Sequence, residues 1–219
     1  MTIHFHRDLE VAKSQILDMG GLIEAAVNKS ISALFDRRPA LAREVIAGDD
    51  EIDEREVRIE VECQKMLALH QPVASDLRFL LTVLKVNNDL ERVGDLAVNI
   101  AERALFLGER PPLAVPEQLF RQAECTRAML RDCLDALVNQ DTALARRVRS
   151  RDDEVDELNR QMFQVMERQM RADPESIERA LHLLSCSRHL ERIADLATNI
   201  AEDVVFLVEG RVIRHRRQG

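Results

Sequence analysis

The 219-residue chain has no Trp and no Tyr, and its aromatic fraction is only 3%. Without the large β-formers that populate sandwiches and barrels, an all-β architecture has little to build on. Glycine and proline number 7 and 6, too few for a loop-rich fold, and no apolar run reaches the 18 residues that a membrane-spanning helix requires. The four cysteines, Cys63, Cys125, Cys133 and Cys186, contain no CxxC pair and no zinc-finger histidine spacing, so they read as reduced, buried small side chains. Met1 to Glu10 mixes His4, His6, Arg7 and Asp8 among apolar residues, which excludes a signal-peptide core. These features lead us to expect a cytoplasmic protein.

Excess positive charge is also missing. With 31 basic against 39 acidic residues the formal net charge is -8, so bulk attraction to nucleic acid or anionic lipid is not expected. Only Arg211, Arg214, His215, Arg216 and Arg217 reverse the balance; they read as a solvated tail complementing a helix dipole, or as a contact for phosphate or lipid headgroups. What the chain does have is 46% hydrophobic residues, rich in Leu, Ala and Val, alongside Glu and Arg, the usage of helix bundles.

The chain also repeats itself. Leu90-Glu91-Arg92-Val93-Gly94-Asp95-Leu96-Ala97-Val98-Asn99-Ile100-Ala101-Glu102 returns 100 residues later as Leu190-Glu191-Arg192-Ile193-Ala194-Asp195-Leu196-Ala197-Thr198-Asn199-Ile200-Ala201-Glu202, with ten of thirteen positions identical. Asp49-Asp50-Glu51-Ile52-Asp53-Glu54 returns after 103 as Asp152-Asp153-Glu154-Val155-Asp156-Glu157, so three residues are lost in the connection between those two helices. Proline punctuation at Pro39, Pro72, Pro116 and Pro174 sets six helices, over 5–36, 40–69, 73–107, 117–138, 141–171 and 174–209. The segment Gly108 to Pro116, with Pro111-Pro112 inside, links two halves. The fold expected is all-α: two tandem three-helix bundles, residues 1–110 and 111–219, each up-down-up.

Glu91, Asp95, Asn99 and Glu102 fall within about 80° on one helix face, opposite Leu90, Val93, Leu96, Ala97 and Ile100, and the same holds for Glu191, Asp195, Asn199 and Glu202. Both sets are expected to line an outward face. Asp49, Asp53, Glu56 and Glu60 form a second acidic row beside the Val45-Ile52-Ile59 seam. Converging carboxylates without a balancing base repel, and a hard multivalent cation (Fe, Mn or Mg) removes that repulsion. The alternative is a solvated charged surface partly neutralised by Arg92, Arg103 and Arg192. In the second copy Asn159 and Phe163 replace Glu56 and Glu60, which leaves that half poorer in ligands. Gly94 inside a helix points to close packing, and its counterpart Ala194 is also small.

The two Leu-Glu-Arg-(Val/Ile)-(Gly/Ala)-Asp segments with their Asn-Ile-Ala-Glu continuations resemble the paired acidic motifs of the PhoU family. Gln71-Pro72-Val73-Ala74-Ser75-Asp76-Leu77-Arg78 is similar to the family's opening of the third helix, and Met19-Gly20-Gly21-Leu22 and Phe206-Leu207-Val208-Glu209-Gly210 fit as well. The resemblance implies a non-enzymatic, cytoplasmic accessory of the phosphate-specific ABC transporter. It implies negative control of the phosphate-starvation response through a sensor histidine kinase and the transporter's ATPase subunit, and a homodimer touching the membrane through those partners alone. It further implies iron, or another metal such as Zn, Mn or Mg, held by Glu91, Asp95, Glu191 and Asp195 with Asp49, Asp53, Asp152 and Asp156, beside Asn99 and Asn199. Arg78 is a candidate partner contact, with a salt bridge to another helix as its competing role. Direct phosphate binding is not expected on the acidic faces unless metal intervenes. Other readings are an accessory of a different phosphate or ion carrier, a metal-binding scaffold, and a di-iron enzyme, the last lacking His at the i+3 positions Gly94 and Ala194.

Overall fold

The computed structural model describes residues 3–213 and, among them, contains helices and no strands. The helices are α1 (Ile3–Phe35), α2 (Pro39–Ala47), α3 (Asp49–His70), α4 (Ala74–Gly108), α5 (Glu117–Asn139), α6 (Thr142–Arg149), α7 (Asp152–Ala172) and α8 (Ile177–Glu209), the last entered through a 3₁₀ turn at Pro174–Ser176. Arg214, His215, Arg216 and Arg217 of the basic tail lie outside the described residues, and Arg211 is exposed.

Two of the six expected helices are broken. The helix expected over 40–69 divides at Gly48, whose N–H donates to the carbonyls of both Glu44 and Val45, 3.1 Å each. Asp49, Asp50 and Glu51 then supply the negative first turn that a new helix N-terminus favours. The helix expected over 141–171 divides at Ser150 and Arg151, where the Ser150 hydroxyl donates to the Arg147 carbonyl at 2.8 Å. The three extra residues of the first copy fall at the turn between α3 and α4, where Gln71, Pro72 and Val73 link the helices; the second copy leaves α7 at Asp173 and enters α8 directly through the 3₁₀ turn. Gln71 and Gln140 close α3 and α5 in the left-handed conformation, and the Asp141 carboxylate accepts from the Ala143 and Leu144 N–H groups at 2.9 Å to open α6.

Helices α4 and α8 are the two central rods. α4 packs on α1, α2, α3 and α8, and α8 on α4, α5, α6 and α7. Their repeated segments bury Leu90, Val93, Ile100 and Leu190, Ile193, Ile200 completely, and the apolar core runs without interruption through both halves. Lys85 meets Asp203 and Phe106 stacks on His182, so the central pair is antiparallel. A Cβ added at Gly94 would lie 3.1 Å from Ile23 Cδ1 and 3.3 Å from Ile52 Cγ2, closer than ordinary contact, and this glycine lets α1 and α3 close over α4. Three cysteines are buried, Cys125 is half-buried, and all four are free.

Candidate metal centre

The break at Gly48 gives α3 its own N-terminus, and that end faces the repeated segment of α4. Asp49 and Asp53, one turn apart on α3, and Asp95 on α4 bring one carboxylate oxygen each within 4.8 Å of one another. Among the described residues these form the one group of three or more acidic, His or Cys side chains so placed. Asp49 Oδ1 is buried without a hydrogen-bond partner. A buried carboxylate oxygen facing two further carboxylates is an unsatisfied acceptor in a field of like charge.

The electrostatics carry the same mark. Burial raises the Asp49 carboxyl above the usual range, with Asp53, Asp95 and Asp50 adding to it. Asp95 is raised by burial and then by Asp53. Glu91 is raised by burial, then by Asp95, Asp53 and Glu56, against a lowering by Arg92. Oxygen-only donors of this kind suit a hard cation, whose charge would remove the repulsion. Asp49, Asp53 and Asp95 fit such an ion as direct ligands, with Glu91 and Glu56 within electrostatic reach.

The matching set in the second half is assembled differently. Burial and then Asp195 and Asp156 push the Asp152 carboxyl up to about 6, against a lowering by the Thr198 hydroxyl, which donates to Asp152 Oδ1 at 3.3 Å. Burial, Glu191 and Asp156 push Asp195 to about 6 as well, with Arg192 opposing. The four acids are thus neighbours, but they do not converge as closely as the first three. Asn159 is held by the Ser187 hydroxyl at 2.8 Å, and Phe163 is 62% exposed where the first copy has Glu60.

Other expectations are corrected. Glu202 does not share the outward face of its row; it is buried and paired with Arg149 at 3.0 Å, whereas Glu102 is exposed. The difference follows from the second copy placing Arg149 where the first has Ile46. The Asn99 amide donates to the Asp95 carbonyl of its own helix at 2.7 Å. Arg78 is half-buried, forms no ion pair among the described residues, and keeps an unpartnered Nε beside Gly210, so the interhelix salt bridge is absent there. Sequence reasoning missed the contact of exposed Lys85 with buried Asp203, 3.2 Å apart, which joins α4 to α8; neither residue lies in the repeated thirteen-residue segments.

The PhoU domain model matches residues 16–104 and 119–204. The chain belongs to the PhoU family. The phosphate-specific transport system accessory protein PhoU homolog of Aquifex aeolicus is 43% identical over 96% of this chain and 95% of its own length. Its counterpart in Pseudomonas aeruginosa is 39% identical over 96% and 88%. The crystal structure of PhoU from Pseudomonas aeruginosa superimposes with a TM-score of 0.90 at 38% identity, covering 94% of this chain and all of that one, and that of the phosphate transport system regulatory protein PhoU from Streptococcus pneumoniae with 0.88 at 31%, covering 95% and 99%. Both copies of the repeat therefore fall inside one PhoU architecture, and the Asp49–Asp53–Asp95 cluster lies within its first matched segment.

Proposed function

We propose that this chain is an accessory protein of phosphate transport that regulates uptake by binding rather than by catalysis. The observation that carries the reading is the match along nearly the whole chain to relatives named for that role. On this reading it lowers the phosphate-starvation response when phosphate is plentiful, by presenting helical faces to a sensor histidine kinase and to the transporter's ATPase subunit. It works in the cytoplasm, as a homodimer, and Arg78 at the start of α4 contributes to a partner contact. No described helix is long and apolar enough to cross a membrane, in keeping with access to the membrane through partners.

The two halves divide into a first bundle over residues 1–110 and a second over 111–219, each carrying one acidic centre. In the first, Asp49, Asp53 and Asp95 hold a metal ion with Glu91 in support; in the second, Asp152, Asp156, Glu191 and Asp195 hold one less tightly, and Asn99 and Asn199 flank the two. When bound, iron or another multivalent cation (Zn, Mn or Mg) supplies charge neutralisation, locking α3 to α4 across a gap that is otherwise repulsive. Support comes from the convergence of three carboxylates and the partnerless Asp49 Oδ1.

Deleting the gene tests the regulatory reading. Phosphate-scavenging genes are expected to be expressed strongly even in phosphate-rich medium, and normal repression there would count against it. Elemental analysis of untagged protein purified without chelator tests the metal, with the Asp49→Asn, Asp53→Asn, Asp95→Asn variant expected to lose the larger share. Equal metal content in that variant would remove the first centre from the proposal.

A further inference from the structure

The outward stripes of the second half do not end with their acids. On α8, Ile177, Leu181 and Leu184 fall within about 40° of Asp195, and on α7, Phe163 and Met170 fall within about 40° of Asp152. Two hydrogen bonds fix how these helices run past each other. Thr198 donates to Asp152 at 3.3 Å and the Ser187 hydroxyl to Asn159 at 2.8 Å, so α7 and α8 are antiparallel. One turn beyond Asn159, Phe163 comes level with the turn of α8 that carries Leu181 and Leu184, and two turns further Met170 comes level with Ile177. The groove between the helices is therefore acidic at one end and apolar at the other.

The apolar end is open. Phe163 is 62% exposed, Leu181 53% and Ile177 43%, alongside half-buried Met170 and above buried Leu184. The linker passes on another side of α8, where Arg110 meets Glu178 at 3.5 Å and Arg179 donates to the Pro111 carbonyl. In the first half the same place is less apolar: Leu81 is 39% exposed, Leu67, Leu77 and Leu84 are half-buried, and Glu60 stands where the second copy has Phe163.

We infer that the outward groove between α7 and α8 docks an amphipathic helix of a protein partner, apolar over Phe163, Leu181 and Ile177 and basic over Asp152, Asp156 and Asp195. The charge pattern selects this occupant. An anionic membrane surface is repelled by the acidic end, and a second copy related by a two-fold axis would set acids against acids or against apolar side chains. A helix carrying apolar residues at i, i+4 and i+7, followed by Lys or Arg on the same face, complements both ends at once. From Ile177 to Asp195 the groove runs about 27 Å, the length of a five-turn helix. The inference deepens the proposed binding role and rests on its partner-docking part.

A synthetic helical peptide of about 18 residues, leucine-faced over one half and lysine-faced over the other, tests it by fluorescence anisotropy against chelator-treated full-length protein. Saturable binding is expected. Phe163→Ser combined with Leu181→Ser, both at exposed positions, is expected to weaken it about tenfold or more with unchanged helical circular dichroism. Glutamate in place of the peptide's lysines is expected to weaken it as much, whereas Leu81→Ser in the first half is expected to bind as wild type. Undiminished binding by the double variant or by the glutamate peptide would overturn the inference. So would self-association of the wild type, or its flotation with phosphatidylglycerol vesicles, that the double variant abolishes; the first gives the face to a second copy and the other to a lipid surface. The peptide reads the groove alone, so its failure leaves the regulatory reading to the gene deletion.

Discussion

Burial with the charges of Asp195 and Asp156 pushes Asp152 up to about 6, and burial with those of Glu191 and Asp156 does the same to Asp195, so in the metal-free protein the two strain the fold at neutral pH. Their folded values lie above the unfolded ones, so the native state binds more protons than the unfolded chain between about pH 4 and pH 6. Their penalty therefore grows over that window and stays constant above it. Asp152→Asn keeps an acceptor for Thr198 and removes the charge. It is expected to stabilise chelator-treated protein by about 1 kcal/mol at pH 7, a figure discounted for solvent screening, with the gain fading toward pH 4 in thermal melts. With metal present the same substitution is expected to lose stability instead. His189 acts in the opposite sense: its depressed value contributes stability that is present above about pH 6.5 and lost as pH falls toward 4. A pH scan of the wild type mixes the two, and only the Asp152→Asn difference isolates the carboxylates.

Helix existence and the repeat were open to reading because a 3.6-residue period and proline punctuation are local properties of the chain. The interruptions at Gly48 and Ser150 were hidden for a physical reason: Val45, Ile52, Ile59 and Met66 are buried on both sides of the first break, so the seven-residue seam continues through it unchanged. The signal that marks each break is the acidic triplet beginning at Asp49 and at Asp152, a helix-start pattern within an otherwise continuous period. The acids of the first centre were legible for the same reason as the helices, since spacing alone puts Asp49 with Asp53 and Glu91 with Asp95. Which of them converge depended on how α3 leans on α4, a tertiary fact. Glu202 shows the limit most clearly: its helix position equals that of Glu102, yet a single change on another helix, Ile46 to Arg149, turns it inward. Arg149→Ala strips Glu202 of that partner and is expected to cost about 2 kcal/mol in chemical denaturation. Arg149→Leu with Glu202→Leu is expected to recover most of the loss.

For the molecule as a whole, the repeat suggests two bundles while the packing joins them. α4 and α8 bury against each other, Arg127 of α5 donates to the Asn28 carbonyl of α1 at 3.2 Å, and Phe35 meets Phe120 edge-on with ring centres 5.5 Å apart. The linker is held from both sides: Arg37 donates to the Gly108 carbonyl at 3.0 Å and to that of Arg110 at 2.6 Å, while Arg179 of α8 donates to the Pro111 carbonyl at 3.1 Å. Cutting the chain at residue 110 would expose the α4 side that faces α8, an apolar surface that no other element of the first half covers. The full chain is therefore expected to unfold in one transition in urea, with circular dichroism and tertiary probes coincident, and the fragment 1–110 to aggregate or to lack the dispersed side-chain signals of a packed core. Two separated transitions would mean that the halves fold alone. The two acidic centres could then report ligands independently, whereas a single cooperative unit obliges whatever is bound at one end of α4 or α8 to stabilise the other.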